Sequence, residues 1–307
     1  MNTSFLYIRV NKNCNAHCFM CDFWKNPILQ ITMEQYLKAI KHYSSLKNVR
    51  FTGGEPLLHE QLYDYIRIAH EKDLNTSIIT NGFFLDEKLD KLVSCGLDHI
   101  IISVDSCYQS HHDSLRGTPG LFNRIVTAIH HIKISYPYLQ IRINTVVSEK
   151  NVQELVEFCD WIDENSIDQW ALIPLKSREI KKTSIMSISE YIDHYQKFQK
   201  RAKSCKAQIM GYSDNWVESI EDYLCGKQKI HPKGKCHLTR FVSFYDPFSD
   251  HFYPCNCIPH RSIRFNSCEE EAQWYFDHGS NYCDGCEPLN AWCSDYPEVF
   301  ETNKFIF

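Results

Sequence analysis

Between residues 5 and 174, short apolar runs alternate with longer stretches whose apolar positions recur every three to four residues. The runs at 5–10 (FLYIRV), 48–52 (NVRFT), 75–80 (NTSIIT), 98–104 (DHIIISV), 139–147 (LQIRINTVV) and 168–174 (DQWALIP) are short and rich in β-branched residues, which predicts strands. The stretches near 33–45, 60–72, 86–95, 119–135 and 151–165 carry the helical period. Neighbouring parallel strands need helical crossovers, so this alternation predicts an α/β chain with an all-parallel sheet. Six strand–helix units fall short of the eight that close a barrel, and the expected architecture is an open, partial (β/α)6 barrel.

The pattern changes near residue 205. Beyond it the chain is richer in Cys, aromatic and turn-forming residues, and it contains a predicted β-hairpin: 240–245 (RFVSFY), a turn at 246–250 (DPFSD) and 251–254 (HFYP). The expected division is a barrel over 1–205 and a small Cys-rich domain over 206–307. No internal repeat or low-complexity tract interrupts either part.

Composition narrows the function. The chain has 307 residues and a formal net charge of −5, which gives no footing for nucleic acid or a membrane surface. No apolar run reaches the roughly 18 residues of a membrane span. The opening residues MNTSF do not read as a signal peptide, and the expected compartment is the cytoplasm. In that compartment fifteen cysteines suggest metal ligands more than disulfides. They also cluster, three within 14–21 and seven within 236–293.

Cys14-x3-Cys18-x2-Cys21 directly follows the first strand. In a parallel barrel that is the C-terminal rim, where reactive groups gather. Three thiolates on one short loop can hold three irons of a [4Fe–4S] cube and leave the fourth open. The competing reading is structural zinc, which normally takes four protein ligands. The rest of the predicted rim is polar: Gly53-Gly54-Glu55-Pro56 after the second strand, Thr80-Asn81-Gly82 after the third, Ser103-Val104-Asp105-Ser106 after the fourth, and Arg142 and Asn144 in the fifth. Glycines at the second rim position let backbone approach a ligand closely. Asn81-Gly82 can equally be a simple turn, and Ser103 or Asp105 a helix cap.

CNAHCFMC resembles the CxxxCxxC loop of the radical S-adenosylmethionine (SAM) superfamily, and GGEP resembles its SAM-binding second motif. The resemblance covers roughly residues 5–200 and implies a TIM-like partial barrel with SAM and a [4Fe–4S] cluster as cofactors. It implies that Gly53, Gly54 and Glu55, followed by Pro56, receive the methionyl ammonium. Ser103, Asp105 and Asn144 become candidates for the carboxylate and ribose, with Asn81 beside them. The position before the last cysteine is usually aromatic in that superfamily; here it is Met20, which keeps an apolar contact for adenine.

In the second group, Cys236 and Cys255 flank the hairpin and Cys283-Asp284-Gly285-Cys286 follows. Four thiolates suit zinc and iron–sulfur alike. The pattern is similar to the twitch extension of radical SAM dehydrogenases, a shortened SPASM domain. That similarity implies one auxiliary [4Fe–4S] cluster on Cys236, Cys255, Cys283 and Cys286, with Cys257 or Cys293 as substitutes.

The superfamily's chemistry is one-electron cleavage of SAM to a 5′-deoxyadenosyl radical, which then abstracts hydrogen from substrate; an auxiliary cluster can take or supply an electron. A flavodoxin or ferredoxin is the implied electron donor. The predicted first strand begins by residue 5, leaving no room before it for a peptide-recognition domain, which favours a small-molecule substrate. The stretches RINTVV, QWALIPLK and YPCNCIPHR resemble those of cytosylglucuronate decarboxylases and, less closely, of aminocyclitol dehydrogenases. They suggest a sugar, aminocyclitol or nucleoside undergoing decarboxylation, dehydrogenation or epimerisation. Lys176, past the sixth strand, is a candidate contact for a substrate anion, though it also reads as an ordinary solvated charge. The alternatives are a maturase of a ribosomally made peptide and a catalytically silent iron–sulfur or zinc protein on the same scaffold.

Overall fold

A computed structural model describes residues 3–175, 186–211 and 241–253, together with 270, 273 and 274. Six strand–helix units run through β1 (Phe5–Asn11), α1 (Met33–Lys41), β2 (Asn48–Gly53), α2 (Leu62–His70), β3 (Asn75–Thr80), α3 (Leu85–Ser94), β4 (His99–Ser103), α4 (Gln109–Arg116), α5 (Leu121–Ser135), β5 (Gln140–Val147), α6 (Leu155–Glu164), β6 (Gln169–Pro174) and α7 (Ile188–Ala202). Then come β7 (Gln208–Met210) and the hairpin β8 (Val242–Asp246) and β9 (His251–Tyr253). The expected α/β class and partial barrel are both present. α4 and α7 both lie outside the stretches read as helical from their apolar period; for α4, QSHHDSLR contains one aliphatic residue and gives almost no such period.

Local chemistry fixes several helix starts. At α1, Thr32 and Gln35 form a reciprocal capping box, Thr32 Oγ1 accepting from Gln35 N at 3.2 Å and Gln35 Oε1 from Thr32 N at 3.0 Å. Ser187 and Glu190 repeat the device at α7. At the end of α4, Gly117 takes the left-handed conformation with φ 57° that commonly terminates helices.

The sheet order is β7-β6-β5-β4-β3-β2-β1-β8-β9. Neighbours from β7 to β8 are parallel, and only β9 runs antiparallel, on β8. The hairpin, which the sequence places beyond residue 205, shares the barrel's sheet. β8 lies beside β1 in register from Phe5↔Val242 to Ile8↔Tyr245. Arg9 Nη1 contacts Asp246 Oδ2 at 2.8 Å, and the rings of His42 and Phe252 stack at 3.8 Å.

Side chains alternate across the strands. One set, including Leu6, Ile8, Val49, Phe51, Ile78, Ile100, Ile102, Ile141, Ile143 and Trp170, joins Tyr36, Tyr65, Leu89, Ile129, Phe158 and Phe198 of the helices in the buried core. The alternate set mixes polar residues, Arg9, Arg50, Ser77, His99, Arg142, Asn144 and Gln169, with the apolar or aromatic Phe5, Tyr7, Ile79 and Ile101 around the inside of the barrel. Its buried polar members are bonded. Arg50 Nε donates to Ser77 Oγ at 2.9 Å and its guanidinium lies over the rings of Phe5 and Tyr7.

Trp170 is fully buried against Phe158 and Phe198, and its indole N–H donates to Thr145 Oγ1 at 2.8 Å. Trp170→Ala is expected to lower the unfolding free energy by about 3–5 kcal/mol, read from the shift of a urea transition.

Candidate active site

The C-terminal ends of β1 to β5 meet at one rim, and the loop carrying Cys14, Cys18 and Cys21 leaves β1 there. Its first anchor is β2. Gly54 N donates to Asn11 O at 3.2 Å and to Asn11 Oδ1 at 3.0 Å, Glu55 N donates to Asn13 O at 2.9 Å, and Asn11 Nδ2 donates to Glu55 O at 2.6 Å. The two glycines are what permit this approach. A Cβ on Gly54 would stand 2.0 Å from Asn13 O, and one on Gly53, at φ 144°, 2.5 Å from Asn11 O.

Glu55 ties the second rim segment to the third. Its carboxylate accepts from Leu57 N at 3.0 Å, Thr80 Oγ1 at 2.7 Å and Asn81 N at 2.7 Å. Burial pushes its pKa up to about 7, against the lowering effect of those donors. Pro56 starts the short 3-10 turn Pro56–Leu58, where its missing N–H costs no hydrogen bond. Asn81 then reaches the loop: its Nδ2 lies 2.8 Å from Asn15 Oδ1 and 3.7 Å from Cys14 Sγ.

The second anchor is the end of α4. His17 N donates to Arg116 O at 3.0 Å, Phe19 N donates to Leu115 O at 3.2 Å, and Arg116 Nη1 donates to Cys18 Sγ at 3.8 Å. Asp105 Oδ2 stands 2.6 Å from Arg116 Nε, with both side chains buried. The other Asp105 oxygen accepts from Val146 N at 2.8 Å. The sequence offers Asp105 to SAM; the fold commits its carboxylate to Arg116 and β5. Ser103, half-buried, faces Asn144 in register across β4 and β5. Asn144 is buried and its Oδ1 accepts from Arg142 Nε at 2.8 Å. Met20 is half-buried beside Cys21.

The structure therefore brings Cys14, Cys18, Cys21, Gly53, Gly54, Glu55 and Asn81 into one bonded assembly, with Ser103 and Asn144 on the same rim. Lys176, Cys236, Cys255, Cys257, Cys283, Cys286 and Cys293 lie outside the described residues. Sequence reasoning missed Asn11, Asn13 and Arg116. Only Arg116 had a usable signal, as the last residue before a helix-ending glycine.

The three thiols suit an iron–sulfur cluster. Each sulfur has an N–H donor: Ala16 N at 3.4 Å and Asn81 for Cys14, Arg116 for Cys18, and Phe23 N at 3.5 Å for Cys21. Burial pushes the Cys14 thiol up to about 11 and raises Cys18 as well. Thiolates at Cys14 and Cys18 consequently call for a cationic partner beyond the protein's own donors. Among the described residues, no three Cys, His, Asp or Glu side chains form a group that could hold a single metal ion. No helix among them is long and apolar enough to cross a membrane.

A family model described as the radical SAM superfamily matches residues 8–162, about half of the chain. The GTP 3′,8-cyclase of Aliarcobacter butzleri is 32% identical over 168 residues, covering 50% of this chain and 51% of that protein. The S-adenosylmethionine-dependent nucleotide dehydratase of a Fibrobacter species is 31% identical over 186 residues, covering 53% of each. The chain thus spans about half the length of these two relatives. Streptococcus suis SuiB bound to S-adenosylmethionine shares the fold with a TM-score of 0.64 at 12% identity, covering 95% of this chain and 72% of that one.

Two outcomes follow from the anchors. Gly54→Ala forces backbone apart at Asn13, and its anaerobic iron uptake at the triad is expected to fall several-fold while far-ultraviolet circular dichroism stays near wild type. His112 is fully buried, its Nδ1 accepts from Asp105 N at 3.1 Å, and burial holds its pKa well below the ordinary 6.5. The unfolded chain takes up a proton near pH 6.5 that the folded chain refuses, so this residue costs stability progressively as pH falls below that value. Between pH 6.5 and 5.5 the loss is about 1 kcal/mol. Urea titrations of His112→Gln should lack that part of the acid slope.

Proposed function

The chain belongs to the radical SAM superfamily, and from that premise we propose that it is an enzyme abstracting hydrogen from a small molecule of the sugar, aminocyclitol or nucleoside class. The observation that carries the reading is the thiol loop itself, with an N–H aimed at each sulfur and with Gly53 and Gly54 packed against its root. Both relatives named above act on nucleotides by their names, which favours the nucleoside end of that range.

Cys14, Cys18 and Cys21 would hold a [4Fe–4S] cluster by three irons. When bound, that cluster supplies the electron that cleaves SAM to the 5′-deoxyadenosyl radical. The protein's own share is placement. The backbone at Gly53 and Gly54, free of side chains, with Glu55 beside it, would receive the methionyl ammonium. Ser103 and Asn144 would meet the carboxylate and ribose, and Met20 the adenine. Asp105, held by Arg116, would act on the loop instead. Cys236, Cys255, Cys283 and Cys286, with Cys257 or Cys293 as substitutes, would hold a second [4Fe–4S] cluster, and Lys176 would face a substrate anion. A flavodoxin or ferredoxin would deliver electrons.

Anaerobic reconstitution followed by SAM and dithionite tests the reading. Wild type should release 5′-deoxyadenosine, and Cys18→Ala should release none. Iron and sulfide near eight per chain support two cubes, and about four would remove the auxiliary one. Absence of 5′-deoxyadenosine even with nucleosides and nucleotides present would sink the enzymatic reading.

A further inference from the structure

Arg116 has an unusual setting for a cation. It ends α4, is 8% exposed, and lies between a fully buried carboxylate and a thiol, with Asp105 Oδ2 at 2.6 Å from Nε and Cys18 Sγ at 3.8 Å from Nη1. Neither neighbour is free to drift. Asp105 is fixed by Val146 N on its side chain, by Asn151 Nδ2 on its carbonyl at 2.7 Å, and by its own N–H to His112. The loop is registered on the helix end by the bonds from His17 and Phe19. Gly117 packs so closely behind it that a Cβ there would lie 2.6 Å from His17 O. The guanidinium thus reaches Cys18 in one orientation.

We infer that Arg116, oriented by Asp105, sets the reduction potential of the cluster ligated by Cys18. The inference rests on the reading that the triad holds a [4Fe–4S] cluster. One-electron reduction adds a negative charge to the cluster and its thiolates. A buried cation that donates a hydrogen bond to a ligand sulfur stabilises the reduced form more than the oxidised one, which raises the potential. Burial makes the effect larger than a surface arginine would give, since solvent screens it little. Arg116 contacts the ligand and not the reacting atoms, so it is a positioning residue. Asp105 supplies direction: its fixed oxygen turns the guanidinium so that Nη1 faces the sulfur. A role confined to holding the loop would leave the potential where it is.

The test is a dithionite-poised redox titration of the reconstituted full chain by electron paramagnetic resonance, following the signal that changes when SAM is added. That response separates the triad cluster from any other. Arg116→Gln should move the midpoint to more negative potential by at least a tenfold change in the reduction equilibrium, about 59 mV for one electron. Arg116→Lys, which keeps the charge, should fall between. Because Arg116→Gln leaves Asp105 buried without its cation, the paired variant Asp105→Asn/Arg116→Gln serves as a neutral control and should shift in the same direction. An unchanged midpoint in variants with full iron content and the SAM-responsive signal overturns the inference and leaves the cluster reading intact. Loss of iron from all three variants with the fold retained makes Arg116 a loop anchor only, and also overturns it. A wild-type triad that takes up no iron overturns both.

Discussion

The arrangement depends on how closely the end of β2 can press against the chain leaving β1. Backbone meets backbone there: Gly54 and Glu55 bond to Asn11 and Asn13, and no side chain fits between them. This contact turns the cysteine loop from a surface excursion into a part of the sheet's rim. The anchor on β3 uses that position. Asn81 reaches Cys14 only because Glu55 holds the β3 turn against the β2 turn, and Glu55 is itself held by Asn11. A parallel sheet supplies the geometry, since it brings the ends of consecutive strands to one side.

The two faces of the sheet divide the work. The outward set of strand side chains is apolar and packs on the helices, so the frame's stability does not draw on the site. The polar members of the inward set are satisfied by their own neighbours, as with Arg50 on Ser77 and Arg142 on Asn144. Buried polar groups of this kind are tolerable only when bonded. They give the interior of the barrel a partly hydrophilic lining beneath the rim. α4 connects frame and site, with Leu115 and Phe122 of the next helix buried behind it and its last residue on the thiol loop.

Much of this was legible in the sequence because it is local. Strand periodicity places the six strands, and the helical period α1, α2, α3, α5 and α6, to within a few residues; α7, with its Ser187–Glu190 cap, went unread. The glycines of GGEP signal a close approach correctly, although the partner against them in the fold is Asn11–Asn13. What stayed hidden is non-local. Pairing of β8 with β1 joins residues more than two hundred positions apart, and nothing in FVSFYD announces which strand it will join. α4 has too few apolar residues to show a period. Asp105 reads as a rim polar residue until Arg116, from the following helix, is seen to occupy it. Asn11 looks like an ordinary strand-end residue.

The electrostatics of the loop give one last consequence. Burial raises the Cys14 and Cys18 thiols and Glu55 together, so with no cofactor the rim favours protonated groups. Glu55 raises the Cys14 thiol further, and Arg116 is the cation that lowers Cys18. Thiolates at Cys14 and Cys18 are stabilised only in part by N–H donors. The missing positive charge is what a cluster of irons would bring, and taking it up would release the thiol protons. Cofactor binding and loss of the Cys14 and Cys18 thiol protons would therefore be coupled steps: the frame and the loop's anchors are built by the protein's own bonds, whereas the charge balance of the loop is not.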